Sequence, residues 1–194
     1  MHTIEPYFNW RHLYSAEEDA LSPFYKREYN EFQYHNTCFD HLIHPQWDAI
    51  GSEALYIKII YVDYEENSCI IELLGEWNDA IENDIMRIKR EVIEVLNENG
   101  IYKFLFIGEN LLNFHADDDS YYQEWFDDIE EGWIAFIGLR DHIMDEMDKY
   151  NLDYYLSYGE SFNKIEWRKF HPDKLLAFVS SYFKKLEIGE GTKP

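Results

Sequence analysis

The sequence predicts one α/β domain built on a single mixed, mostly parallel sheet that an antiparallel hairpin begins and helices cover. Three observations predict it. From residue 54 onward, β-branched and aromatic runs alternate with segments whose apolar residues recur at the helical period. The first two strand-like runs are separated only by Asp63-Tyr64-Glu65-Glu66-Asn67, a connection too short for anything but a hairpin. The chain has 194 residues, 46% hydrophobic and 18% aromatic, which is ample for one core and short of two large domains.

In chain order, residues 54–62 form the first strand and residues 68–75 the second. After Gly75-Glu76-Trp77, Asn78 or Asp79 is placed to cap a helix. Its apolar positions Ile81, Ile85, Ile88, Val92 and Val95 or Leu96 keep the 3.6 spacing, and Gly100 is its C′ residue. Residues 102–107 read as a buried strand ended by the turn signal Gly108-Glu109-Asn110. Ser120 with Gln123 forms a capping box that opens a helix through Tyr121, Tyr122, Trp125, Phe126 and Ile129, and Gly132 closes it. Residues 133–137 are a strand. Residues 141–150 are a helix with Ile143, Met144, Met147 and Tyr150 inward, and residues 152–158 are a last strand. Pro172 at a first helical position introduces a helix to about Leu186, with Leu175, Leu176, Val179, Phe183 and Leu186 facing the core. The order ββαβαβαβ plus a C-terminal helix, with right-handed crossovers, gives a largely parallel, helix-covered sheet. Residues 1–53 are expected to pack on the 54–194 domain as an extension, with a helix from about Ala16.

Composition sets the class of partner. The net charge is -22, from 39 Asp and Glu against 17 Lys and Arg. A polyanion of this size repels phosphate backbones and anionic membranes, so neither nucleic acid nor membrane is an expected partner. Residues 51–150 hold 25 acids and 7 bases, and the stretch from Glu109 to Glu131 holds nine acids and no Lys or Arg. A partner docking there should be basic. Two cysteines, Cys38 and Cys69, fit a reducing compartment, and the start Met1-His2-Thr3-Ile4-Glu5-Pro6 has neither a basic nor an apolar leader region. The expected location is cytoplasmic.

The element order, with Leu74-Gly75-Glu76-Trp77 at one strand end and Leu111-Leu112-Asn113-Phe114-His115 running into Asp117, Asp118, Asp119 and Ser120, resembles the anti-sigma-factor antagonist (STAS) family over roughly residues 54–160. The whole chain also resembles a group of bacterial proteins of unassigned function that share Gly-Glu-Trp-Asn-Asp and an Asn-Phe-His followed by acids. The STAS resemblance implies a regulatory module whose Asp-Ser-Ser-Gly loop carries a phosphorylated serine. Here that serine's place falls on Asp118 or an adjacent aspartate, and the glycine that opens the next helix is missing. An aspartate supplies about one charge where phosphoserine supplies nearly two.

Two functional readings follow. The first is a non-enzymatic interaction module that needs no cofactor. It binds a basic protein through Glu109, Asp117, Asp118, Asp119, Ser120, Tyr121 and Trp125, with Tyr121 and Trp125, or else Tyr122 and Phe126, as an exposed aromatic anchor. The alternative is a hydrolase whose Glu76, Glu109, His115 and Asp118 or Asp119, with Asp79 nearby, gather Mg, Mn or Ca beyond the strand ends. Against it, these acids also suit helix N-termini and solvated faces. Cys38, His41 and His44, with His35 nearby, have zinc-ligand chemistry at a spacing no standard module uses, so structural roles are expected. Neither a nucleophile elbow nor a phosphate-binding glycine loop is present.

Overall fold

The computed structural model describes residues 4–190 except 31, 33, 35, 39, 40 and 130, and only the backbone of 185–190. His35, Glu130, residues 1–3 and the side chain of Leu186 therefore lie outside the described residues.

One five-stranded sheet has the order β3 (Asp48–Ala49), β4 (Leu55–Asp63), β5 (Ser68–Asn78), β6 (Lys103–His115), β7 (Trp133–Ile137). A separate antiparallel pair, β1 (Thr37–Cys38) with β2 (His41–Leu42), precedes it. The pairings β3/β4 and β4/β5 are antiparallel, while β5/β6 and β6/β7 are parallel. The expected α/β architecture is present: a hairpin start, then parallel strands joined by helical crossovers. The helices are α1 (Asp79–Glu82), α2 (Asp84–Ile88), α3 (Glu94–Glu98), α4 (Ser120–Asp128), α5 (Asp141–Lys149), α6 (Glu160–Asn163) and α7 (Pro172–Glu190). A π-helical turn, Lys89–Ile93, joins α2 to α3 in one rod.

Alternation along the strands divides the core into layers. Ile57, Ile59, Ile71, Leu73, Phe104, Phe106 and Phe136 face the rod, α4 and α5, through Ile88, Val92, Trp125, Ile143 and Met147 among others. Ile70, Leu105, Ile107 and Ile137 face the opposite layer, where Leu175, Leu176 and Val179 of α7 meet Trp10 and Trp167. The N-terminal segment passes around the free side of β4, because Trp10 lies in the second layer, Ala16 and Phe24 in the first, and Cys38, Ile43 and Trp47 over Tyr56 and Leu74. Its β3 hydrogen-bonds to β4 and shields an edge that would otherwise invite pairing.

Four expectations are corrected. The strand expected at 102–107 runs on to His115: the Gly108-Glu109-Asn110 signal is a bulge, since Glu72 pairs with Ile107 but Leu74 with Asn110, and a second slip follows between Gly75 and Glu76. The helix after Asn78 is interrupted at Asn83, whose left-handed φ of 54° resets the phase and leaves Ile81 79% exposed. The expected strand at 152–158 is a 3-10 turn, Leu152–Tyr154, entered through left-handed Asn151, followed by one parallel bridge from Ser157 to Ala135. No helix starts near Ala16; that segment is a series of hydrogen-bonded turns, with Ala16 fully buried.

Gly75 is where the hairpin end closes on the N-terminal segment. Its φ is +109°, and a Cβ there would lie 1.9 Å from the Ala54 carbonyl oxygen, which accepts the Glu76 amide at 3.1 Å. Gly159, at φ +114°, has nothing within 4 Å of that position. Gly75→Ala should therefore lower stability by ~3 kcal/mol and Gly159→Ala by only ~1 kcal/mol, the strain of its backbone conformation. Urea unfolding of the two variants checks this; equal losses would contradict it.

Candidate partner-binding surface

The site is assembled from the end of β5. Asn78 caps α1 by accepting the Ile81 amide at 3.0 Å, and the chain then turns Asp79 inward, where it is 6% exposed. The Asp79 carboxylate accepts the Trp77 indole N–H and the Ile85 amide, both at 2.8 Å, and the Tyr122 hydroxyl at 2.6 Å. One carboxylate thus ties β5, α2 and α4 together. Burial raises its pKa to about 6, although all three hydrogen bonds favour the ionised form. Asp84 extends the junction by accepting the Asn78 amide at 2.9 Å.

α4 is amphipathic. Tyr122, Trp125 and Ile129 are fully buried, with Trp125 packed edge-on against Phe104 and Phe106, each 5.6 Å between ring centroids. The outer face carries Gln123, Glu124, Phe126, Asp127 and Asp128. Lys89 rises from the π-helical turn, 3% exposed, to meet Glu124 at 2.8 Å, Asp128 at 2.9 Å and Glu94 at 3.4 Å. That buried ammonium offsets part of the repulsion on α4 and clamps it to the rod. At the helix start, Asp118 accepts the Ser120 amide at 2.8 Å and the Ser120 hydroxyl, which hold its carboxyl below the ordinary range. Asp119 accepts the Tyr155 hydroxyl at 3.1 Å.

That last bond brings a second element to the site. Phe126, 42% exposed, lies 6.1 Å from the Tyr155 ring, which lies 6.5 Å from Tyr154, itself 74% exposed. The outcome is an aromatic strip, Phe126–Tyr155–Tyr154, with Asp119 and Asp127 facing Tyr155 and exposed Asp117 and Asp118 at the start of α4.

The structure brings Asp117, Asp118, Asp119 and Ser120 together in this loop and leaves Tyr121 half-buried against the core. Two expected binding residues stand elsewhere. Trp125 is a core residue because its stripe, with Tyr122 and Ile129, must cover the sheet. Glu109 points to the opposite face, where its carboxylate takes the Trp167 indole at 2.9 Å and Arg168 at 2.8 and 2.5 Å. This also separates the expected metal set: Glu76 lies 3.6 Å from His115, Glu109 is across the sheet, and Asp118 is spent on Ser120. No group of three His, Cys, Asp or Glu suited to a metal occurs among the described residues. The Ser120–Gln123 capping box is not formed, since Ser120 is the first helical residue and its hydroxyl donates to Asp118. Cys38 is buried, and buried His44 accepts the Gln46 amide at 3.2 Å. Tyr154 and Tyr155 were hidden in a run that reads as a strand; their adjacency, which puts one ring on each face of a strand, gave no sign of a shared surface.

No known protein-family model and no curated protein matches this chain. Two solved structures are similar to part of it. One is a candidate anti-sigma factor antagonist from Thermotoga maritima, 19% identical, aligned over 54% of this chain and 85% of its own, with a TM-score of 0.39. The other is the Bacillus cell fate determinant SpoIIAA in its phosphorylated form, 9% identical, over 54% of this chain and 91% of its own, with a TM-score of 0.37. Among the described residues, no helix is long and apolar enough to cross a membrane.

Two buried carboxyls make stability depend on pH. Asp79 rises from an ordinary 3.8 to about 6, and Glu72, 2% exposed and held by the Tyr7 amide at 2.7 Å, rises from 4.5 to about 7. Burial is the main cause in both. Between the unfolded and folded values the folded chain binds the extra proton, so stability falls as pH rises through that window. The urea midpoint should be higher at pH 5 than at pH 8, and Glu72→Gln should remove much of the slope above pH 6, on the order of 2 kcal/mol. A midpoint that climbs over this range, or a Gln variant with an unchanged slope, would contradict the assignment.

Proposed function

We propose that this chain is a non-enzymatic, cytoplasmic regulatory module that binds a basic protein partner through the 117–120 loop, the outer face of α4 and the Tyr154–Tyr155 turn. The observation that carries this reading is the exposed Phe126–Tyr155–Tyr154 strip next to carboxylates in a stretch that contains no base. Aromatic rings supply the apolar anchor on which binding energy concentrates, and their faces also attract guanidinium groups. The surrounding aspartates steer a cationic surface and fix its register. An arginine-rich helix or loop satisfies both demands at once. The carboxylates that a metal-dependent hydrolase would gather are committed to other partners, Glu109 to Arg168 and Asp118 to Ser120, which supports the binding reading over the catalytic one.

The test is capture of binding proteins from lysate with the parent, with Phe126→Ala/Tyr154→Ala, and with Asp117→Asn/Asp118→Asn/Asp119→Asn. The partner should carry a basic surface, be lost on both variants, and bind about tenfold more weakly when salt rises from 50 to 300 mM. A partner retained by both variants, or one indifferent to salt, would contradict the proposal.

A further inference from the structure

Away from the acidic face, the structure gathers three arginines. A cleft of about 530 Å³ lies between the rod and residues 23–27 and 49–51, lined by Phe24, Ile50 and Met86 and by Arg27, Arg87 and Arg90. A single turn holds two of the guanidiniums: Arg27 donates to the Ala49 carbonyl at 3.3 Å and Arg87 to the Gly51 carbonyl at 2.5 Å. Gly51, at φ +85°, permits the approach, since a Cβ there would sit 3.1 Å from an Arg87 nitrogen. Arg87 also donates to the Glu82 carbonyl at 2.9 Å, and Arg27 lies 5.1 Å over the Phe24 ring. Asp48 at 3.1 Å from Arg27 and Glu82 at 3.6 Å from Arg87 offset part of the charge, and Glu91 lines the cleft. A guanidinium has five N–H donors, so both arginines keep donors unspent. Arg90 is exposed and makes no ion pair among the described residues. It stands on the π-helical turn, a geometry that recurs at functional sites; there Lys89 reaches α4 while Arg90 lines the cleft.

We propose that this cleft binds a small molecule carrying a phosphate group. Guanidinium forks match phosphate oxygens with paired hydrogen bonds, and two of these are already held in place by the backbone. The volume lies in the range of small-molecule sites and far exceeds one phosphate, while Phe24, Ile50 and Met86 offer an apolar wall to the rest of the molecule. A chain of net charge -22 repels anions in general, so an anion would bind where guanidinium donors are grouped and aimed. The cleft shares no residue with the proposed partner surface.

The test is a titration of the full chain with inorganic phosphate, AMP and adenosine, followed by backbone amide shifts. Phosphate and AMP should shift the amides of residues 49–51 and 86–91 saturably, AMP more tightly, and adenosine should not. Arg90→Gln, which breaks no ion pair among the described residues, should keep the parent's unfolding midpoint and weaken AMP binding about tenfold. No saturation by phosphate or AMP below about 5 mM, or affinity unchanged in Arg90→Gln, would overturn the proposal.

Discussion

The Asp79 carboxylate is the constraint on which the arrangement depends. It is buried, it is charged near neutral pH, and each of its three donors comes from a different element: the indole of Trp77 on β5, the amide of Ile85 on α2 and the hydroxyl of Tyr122 on α4. A buried carboxylate persists only when its oxygens are satisfied, so each element fixes the others. Asn83 in the left-handed conformation allows it, because the break between α1 and α2 brings the Ile85 amide back to the carboxylate. Since α4 carries the outward acids and Phe126, the position of the proposed binding face follows from a contact on its inner side.

The chain's excess of acid is not left to repel itself wherever packing is tight. Lys89 sits beneath three carboxylates, Arg168 takes Glu109, and buried Lys58 of β4 lies 3.3 Å from fully buried Asp48 of β3. Asp118 closes the first turn of α4 through Ser120. Carboxylates at Asp117 and Asp127 remain exposed beside the aromatic strip, and the exposed Arg90 lines the arginine cleft. The distribution yields an acidic surface with exposed aromatic rings and, elsewhere on the rod, a cleft lined by three arginines.

Local signals that tertiary packing reinforces were legible in the sequence. The hairpin, the strand at Trp133–Ile137, the Asn78 cap, Gly100 after the rod and Pro172 at the start of α7 all appear at the expected places. Signals failed where one residue type serves two geometries. Gly108 and Asn110 mark a turn in isolation, but paired with a neighbouring strand they form a bulge, and β6 continues to His115. Ile81 keeps helical spacing with Ile85, yet Asn83 breaks the phase between them and Ile81 is left outside. At the site, the Asp117–Ser120 loop was readable from charge alone. The burial of Trp125 and the turning of Glu109 to the far face depend on which stripe meets the sheet and on where the bulge puts odd and even residues; neither is visible without the pairing register.

The position of α4 depends on Asp79 and Tyr122 acting as a unit. A double-mutant cycle of Asp79→Ala, Tyr122→Phe and both, read by urea unfolding at pH 7.5, measures this directly. The predicted coupling is about 2 kcal/mol, the worth of a hydrogen bond to a buried charge. Losses that simply add, to within about 0.5 kcal/mol, would show that apolar packing and the Lys89 ion pairs hold α4 without this bond, and would contradict the central role given to this carboxylate.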